Sequence, residues 1–500
     1  MFVFALLCCA VIILCLAYLN GKYNEHYWKK RNVPFYSEHK VMGVFWDFAV
    51  KRKPVFQNLR KVYKKFRNEP AVGIGSLLTP TLYVIDPTNI QHVVATDFNS
   101  FSHRGLDINA GDQLADNILF MNGNRWKLMR QSMSPLFTST KLKSMYYIID
   151  KSATDFVDHL KANRDLMKGN AFDTLCSFCS AAIGGAVFGV STGSIFDSPF
   201  LDMARKSTKP TLMGNFKLSI ANMSNQLFSI LGLKLFTEYE DFFIGAIKQI
   251  IRLRENEKTK RHDFADICVA LQNAGNIVDK DTGLELKPTD ELLAAQAFFF
   301  FIAGVEPTAQ VLFVTLIELG KHPEYLERVH DEIDEAFKKH NNKMDYDIVM
   351  GMKLLDMVVN EAMRLHPPIG FLNRKCVKDT VLPVGNIKVD KGTRIMMPVF
   401  EVQHDEEYFP DPEKFIPERF APENKHNIID ATFMPFGKGN RVCVGTRYAT
   451  LQTKAGLVHL LRNFTIRTVI SGEGPKYVPH PIQVRLENID VEYIPRRIPT

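Results

Sequence analysis

Between Pro435 and Gly445 the chain reads PFGKGNRVCVG, and its one cysteine, Cys443, is set among residues that suit a thiolate metal ligand. Gly437, Gly439 and Gly445 carry no side chain, so backbone and sulfur can approach a flat cofactor, and positive φ lets the loop wrap the sulfur with N–H donors. Lys438 and Arg441 add positive charge, and TRYATLQTKAGLVHLLRNF predicts a helix whose N-terminus starts just after Gly445. Cations and a helix N-terminus both favour a thiolate. Phe436 is placed to keep water from the sulfur. Two further pairs have chemical potential: Trp126 and Arg130 at i, i+4, and Glu361 and Arg364 at i, i+3, each on one predicted helix face. Cys176 and Cys179 form a lone C-x-x-C inside FDTLCSFCSAAIGGAVFGV, which reads as a buried helix and not as a metal pair.

The cysteine stretch resembles the ligand loop of cytochromes P450, F-G-x-G-x-R-x-C-x-G, with Phe436, Gly437, Gly439, Arg441, Cys443 and Gly445 at its fixed positions. The resemblance implies a mainly α fold with small β-sheets, one large catalytic domain, and haem b (iron protoporphyrin IX) with Cys443 as axial iron ligand. It further implies haem-propionate contacts from Arg104, Trp126, Arg130 and Arg374. It assigns Glu361, Arg364 and the Arg419 of FIPERF to a buried structural network beneath the cysteine loop. Pro368, Ile369, Phe371 and Leu372, with Phe301 and Ala303, are expected along a substrate pocket.

The long apolar stretch LLAAQAFFFFIAGV predicts a helix from about Thr289 to Lys321. Glu291 precedes the apolar run, Gln296 interrupts it and Pro307 follows it, so a buried central helix is expected and not a membrane span. AGVEPTA, from Ala303 to Ala309, resembles the family's oxygen-binding pattern A-G-x-[DE]-T-[TS], in which Ala303 and Gly304 leave room and Glu306 supplies protons. The place usually held by threonine is Pro307. Proline lacks the N–H and normally costs roughly 3 kcal/mol inside a helix. Thr308, or a water on the freed Ala303 carbonyl, is expected to take over proton delivery.

Around these motifs lie 500 residues, 46% apolar, with no linker, repeat or low-complexity tract. A net charge of +7 with no recurrent basic–aromatic pattern argues against a nucleic-acid partner. Eight scattered cysteines do not make a disulfide framework. Residues 2–19 are nearly unbroken apolar sequence followed by Lys22, His26, Lys29, Lys30 and Arg31, the signature of a transmembrane anchor with its basic side cytosolic. The haem-thiolate domain is expected over 30–500, on the cytosolic side of the endoplasmic reticulum in the microsomal fraction. A cationic amphipathic helix, VFQNLRKVYKKFRNEP, is expected next, then two short strands about Thr79-Pro80 and a short helix, TNIQHVVAT. FSHRGLDINAGDQLADNILFMNG should be a long irregular segment, and TLMGNFKLSIANMSNQLFSILGLKLF a helical region over an apolar cavity or in the headgroup layer. VLPVGNIKVDKGTRIMMPV is expected to fill a second small sheet.

Three activities fit. The resemblance favours a monooxygenase that inserts one atom of O2 into small apolar substrates, xenobiotics such as plant toxins or insecticides, or endogenous lipids. It implies NADPH–cytochrome P450 reductase as electron donor, with cytochrome b5 an optional second, and the motif style is similar to insect microsomal members. The alternatives, raised by Pro307, are a hydroperoxide-rearranging haem-thiolate enzyme and a non-catalytic binder of haem or apolar ligands.

Overall fold

The computed structural model describes residues 2–51, 53–77, 79–109, 111–189, 198–208, 211–257 and 263–498. Helices make the body, and the one at its centre is Asp290–Lys321. Thr289 caps it, its hydroxyl oxygen accepting from Leu292 N at 3.2 Å, and Asp290 and Glu291 in the first turn complement the helix dipole. A helix apolar on all faces must be buried or lie in a membrane. Here most of its length is buried by the helices Ala171–Phe188, Glu240–Glu255, Lys353–Leu365 and Thr446–Asn463. At Gly304 the approach is so close that a Cβ would lie 2.9 Å from Ile183 Cγ1. Pro307 does not end the helix, which runs unbroken to Lys321.

The strands are short: β1 (Phe35–Tyr36), β2 (Ala71–Ile74), β3 (Thr81–Val84), β4 (Ile277–Val278), β5 (Glu285–Leu286), β6 (Phe371–Lys375), β7 (Thr380–Leu382), β8 (Ile387–Val389), β9 (Arg394–Pro398), β10 (Phe464–Ile470) and β11 (Ile489–Pro495). The main sheet has the order β1-β2-β3-β9-β6. The expectation that residues 381–399 fill a second sheet is therefore corrected. Only β7 and β8 pair by themselves, whereas β9 lies between β3, in parallel, and β6, antiparallel. Its five residues are all buried, which is what a central strand covered on both faces requires.

Two large apolar cores result among the described residues, with a small third cluster of Phe56, Phe400 and Val484. The larger surrounds the central helix, and the smaller joins the main sheet to the N-terminal segments through Trp28, Leu59, Tyr83 and Met396. The predicted amphipathic helix forms at Val55–Lys65, burying Val55, Leu59 and Val62. Cys176 and Cys179 are buried in Ala171–Phe188, and burial pushes both thiols up, as for structural cysteines. The first helix runs from Phe2 to Lys29 without a break. Val11, Ile12, Leu16 and Leu19 are exposed on it, while Trp28 at its far end is fully buried against β2.

Candidate active site

The cysteine loop is held by its own backbone. Gly437 N donates to Met434 O at 3.0 Å, Val442 N to Gly439 O at 2.9 Å and Cys443 N to Phe436 O at 2.9 Å, while Thr446 Oγ1 donates to Cys443 O at 3.0 Å. Gly437 (φ 71°) and Gly439 (φ 68°) adopt left-handed conformations, and a Cβ on Gly439 would collide with the Val94 carbonyl. The predicted helix follows at Thr446–Asn463. Cys443 itself is accessible. The dense protein around it pushes its thiol up, and the Gly445 N–H, Arg104, Arg130 and Thr446 work against that. The cations acting on the sulfur are thus not Lys438 and Arg441 of the loop itself. Lys438 is ion-paired with Asp430.

Arg441 instead knits the loop to the segment before the Gly123–Met133 helix. Its Nε donates to Ser102 O at 3.0 Å, Nη1 to Met121 O at 3.0 Å and Nη2 to Asn122 Oδ1 at 3.2 Å, and the guanidinium stacks 3.8 Å from the Trp126 ring. Arg104 Nη2 reaches back to Arg441 O at 2.8 Å. Arg374 on β6 donates from Nη1 to Asn373 O at 2.8 Å. Burial, with mutual repulsion from Arg104, Arg374 and Arg130, lowers Arg441 to about 8. Arg374 falls to about 9 by burial and Arg104, and Arg104 to about 10 by burial. Burial is the first cause in each case, and no carboxylate among the described residues offsets it. Among the described residues Trp126 Nε1, Arg104 Nε and Arg374 Nε are buried with no hydrogen-bond partner.

Orphaned donors and uncompensated buried cations beside an accessible thiol fit a flat group with two carboxylates and a metal that binds sulfur. A family model, Cytochrome P450, matches residues 34–487. The chain belongs to the cytochrome P450 family. It is 32% identical to Cytochrome P450 6k1 of Blattella germanica, covering 92% of each chain, and 30% identical to Probable cytochrome P450 6d4 of Drosophila melanogaster, covering 97% of this chain and 98% of that one. Cytochrome P450 6B2 of Helicoverpa armigera is likewise 30% identical, covering 93% and 92%. This P450 is a monooxygenase with haem b as cofactor, and its similarity is to insect members.

Below the loop, Glu361 and Arg364 are fully buried and paired at 2.7 Å and 2.9 Å. Arg364 also donates to the carbonyls of Gln403 and Pro412, both at 2.8 Å, and of Lys414 at 3.0 Å. Arg419 Nε reaches Glu361 at 3.4 Å, and the Ile416 N–H reaches it at 2.9 Å. Gln403, which has no motif to mark it, links this network to the loop: its amide donates to Met363 O and Arg364 O, and its Oε1 accepts from Met434 N at 3.3 Å.

Phe137 lies between Phe300, 5.2 Å away by ring centroids, and Gly445, so the cysteine loop and the central helix border one region. Ala303 is exposed and Pro307, one turn on, is partly so. Thr308 lies 100° further round and is 2% exposed, its hydroxyl without a partner among the described residues. Glu306 is raised from 4.5 to about 7 by burial, against a hydrogen bond from Gln483 and the charge of Arg485. Arg485 Nη1 is 3.5 Å from its Oε1. Neither Gln483 nor Arg485 carries a sequence signal, because both reach the site from the irregular segment before β11. Of the expected pocket residues, Phe301 is fully buried against Phe200 and Phe243, and Phe371 is buried in the sheet core. Ile369 and Ala303 keep accessible surface, and Leu372 lies beside Gly437.

Proposed function

We propose that this P450 is an endoplasmic-reticulum monooxygenase, anchored by residues 2–19 with its catalytic domain cytosolic, that oxidises small apolar compounds with electrons from NADPH through a diflavin reductase. Xenobiotics such as plant toxins or insecticides, and endogenous lipids, are its substrate classes. The observation that carries the reading is the gathering of Trp126, Arg104, Arg130, Arg374 and Arg441 around the accessible Cys443, with donors of Trp126, Arg104 and Arg374 left unsatisfied. These residues would hold the two propionates, and Cys443 the iron, of a bound haem. The haem supplies O2 activation and oxygen transfer.

The chain's own residues supply the rest. With a haem bound over Cys443, Phe436 and the apolar wall around Phe137 and Phe300 would keep water from the sulfur. Pro307 removes the N–H that would bind the Ala303 carbonyl, leaving that oxygen free to hold a water on the accessible face of the central helix. Glu306, held near neutral pKa by burial and tethered by Arg485, can pass a proton to such a water. Thr308 is buried on another face of the helix, off the route of that water. The exposed residues Leu212, Met213, Phe216, Ile230 and Leu231 form an apolar surface suited to the bilayer, from which apolar substrates would enter.

The test is product formation from a diverse panel of apolar compounds by membranes containing the protein and its reductase, with and without NADPH. NADPH-dependent product supports the reading. Turnover of hydroperoxides without reductase, and of nothing else, would refute it. Protection of the untruncated protein from protease added outside sealed microsomes would refute the orientation.

A further inference from the structure

Gln296, the polar residue inside the apolar run of the central helix, is fully buried. Its amide is satisfied largely by a distant piece of chain. Oε1 accepts from Ile118 N at 3.0 Å, and Nε2 donates to Asp116 O at 2.9 Å as well as to Leu292 O at 3.0 Å. An amide that meets one carbonyl and the N–H two residues further on gives that backbone what a neighbouring strand would give it. An apolar residue at this position would leave the buried Ile118 N–H unpaired.

The same segment is fastened at its other end. From the cysteine loop Arg441 holds Met121 O and Asn122 Oδ1, and between the two fastenings Asn117 braces the turn. Its Nδ2 donates to Leu114 O at 2.8 Å and its Oδ1 accepts from Leu119 N at 3.0 Å. Phe120 lies 5.8 Å from Phe236, itself 5.0 Å from Phe298 of the central helix, by ring centroids. Residues 116–122 therefore run from the central helix to the loop that carries Cys443. Gln296 and Ala303 are seven residues apart, hence about 20° apart around the helix and about 10.5 Å apart along it. Ala303 is exposed, whereas Gln296 is covered by this segment. The segment thus walls off the open face two turns before Ala303. On the wall's outer side is a surface cavity of about 500 Å³ lined by Asp112, Asp116, Arg125, Glu291 and Leu292. Both carbonyls that Gln296 Nε2 binds belong to residues of that lining.

We propose that Gln296 is a specificity-determining positioning residue: its amide clamps residues 114–121 across the accessible face of the central helix and so limits the size of molecule that reaches the haem. Without the clamp the segment gives way toward the outer cavity, and the two spaces join. Gln296 acts through the segment and takes no part in proton or oxygen transfer. The inference rests on the haem site described above.

The test uses the full-length holoprotein and three variants. Gln296→Met keeps the shape without the amide, Gln296→Asn keeps the amide without the reach, and Gln296→Glu, protonated by burial, keeps one donor and one acceptor. Amide hydrogen exchange over residues 114–121 should quicken at least about tenfold in the first two, as two net hydrogen bonds to the segment are lost, and stay within about threefold of wild type in Gln296→Glu. Size discrimination is read from the Soret shift when imidazole or a biphenyl-substituted imidazole binds the ferric haem. Imidazole, too small to meet the wall, should bind all four proteins within about twofold, whereas the biphenyl-to-imidazole affinity ratio should rise about fivefold or more in Gln296→Met and Gln296→Asn and return toward wild type in Gln296→Glu. Haem content reports folding, and Gln296→Asn carries the test if Gln296→Met takes up no haem. Exchange at the wild-type rate in a haem-loaded Gln296→Met or Gln296→Asn overturns the clamp. Faster exchange with an unchanged affinity ratio overturns the assignment of specificity. A wild type that takes up no haem refutes the haem site and not the clamp, which exchange still decides.

Discussion

The molecule buries two groups of arginines and treats them oppositely. Arg364 and Arg419 share the carboxylate of Glu361, and every nitrogen of Arg364 has a partner. Arg104, Arg374 and Arg441 repel one another and share no carboxylate among the described residues, and Arg104 and Arg374 each leave a donor unused. The physical lesson is that burial alone does not separate structural from functional cations. What separates them is whether the polypeptide supplies the counter-charge. A closed network such as Glu361–Arg364–Arg419 belongs to the fold, and an open one belongs to something the fold receives.

The largest effect should come from Cys443→Ser, which replaces the one soft ligand and should abolish oxygenation together with the thiolate signature of the reduced carbonyl spectrum. A variant retaining both would break the reading of the open cluster altogether. Next, Arg364→Ala strands the Glu361 carboxylate in a dry interior, a class of change that costs roughly 3–5 kcal/mol. Thermal melting should show a large loss in haem-free as well as haem-loaded protein. Arg374→Met tests the other half of the contrast. Haem transfer to an acceptor protein should speed up about tenfold for the loss of one charged donor, while the haem-free form melts no lower than wild type, because repulsion among the cations is relieved. If both substitutions destabilise the haem-free protein equally, the distinction between closed and open networks fails.

Glu306 stands between the two groups, with one cation at 3.5 Å and a pKa near 7. Because its folded value lies above 4.5, the neutral form favours folding. That contribution is present below about pH 4.5 and is lost as pH rises through about 7. The fraction able to donate a proton falls over the upper part of the same window. The ratio of product to NADPH consumed should therefore decline as pH rises through 7, and Glu306→Gln should lower and flatten that profile. The smallest effect is expected from Pro307→Thr, which should leave turnover within about threefold and change mainly the share of electrons lost as peroxide. Thr308→Ala should leave that share unchanged, since its hydroxyl is buried away from the accessible face.

Sequence alone determined the cysteine loop, the central helix and the Glu361–Arg364 pair, because each depends on neighbours within one turn of helix or one tight loop. Glycine at positive φ, cysteine before a helix N-terminus, and an apolar run capped by Thr289 are local physics, and spacing displays them directly. The buried reading of Cys176 and Cys179 followed for the same reason, from an apolar helical setting. Tertiary structure alone decided the rest. It placed β9 between β3 and β6 in place of a separate sheet, since strand partners are chosen by closing loops of hundreds of residues and not by the strand's own pattern. It brought Arg485 to Glu306 from 179 positions downstream. It replaced Lys438 with Arg104 and Arg130 as the cations acting on the sulfur, buried Thr308 while leaving Pro307 partly accessible, and left Arg394 buried with a donor to spare. None of these has a local signature, because an electrostatic environment is a sum over everything the fold brings within a few ångströms.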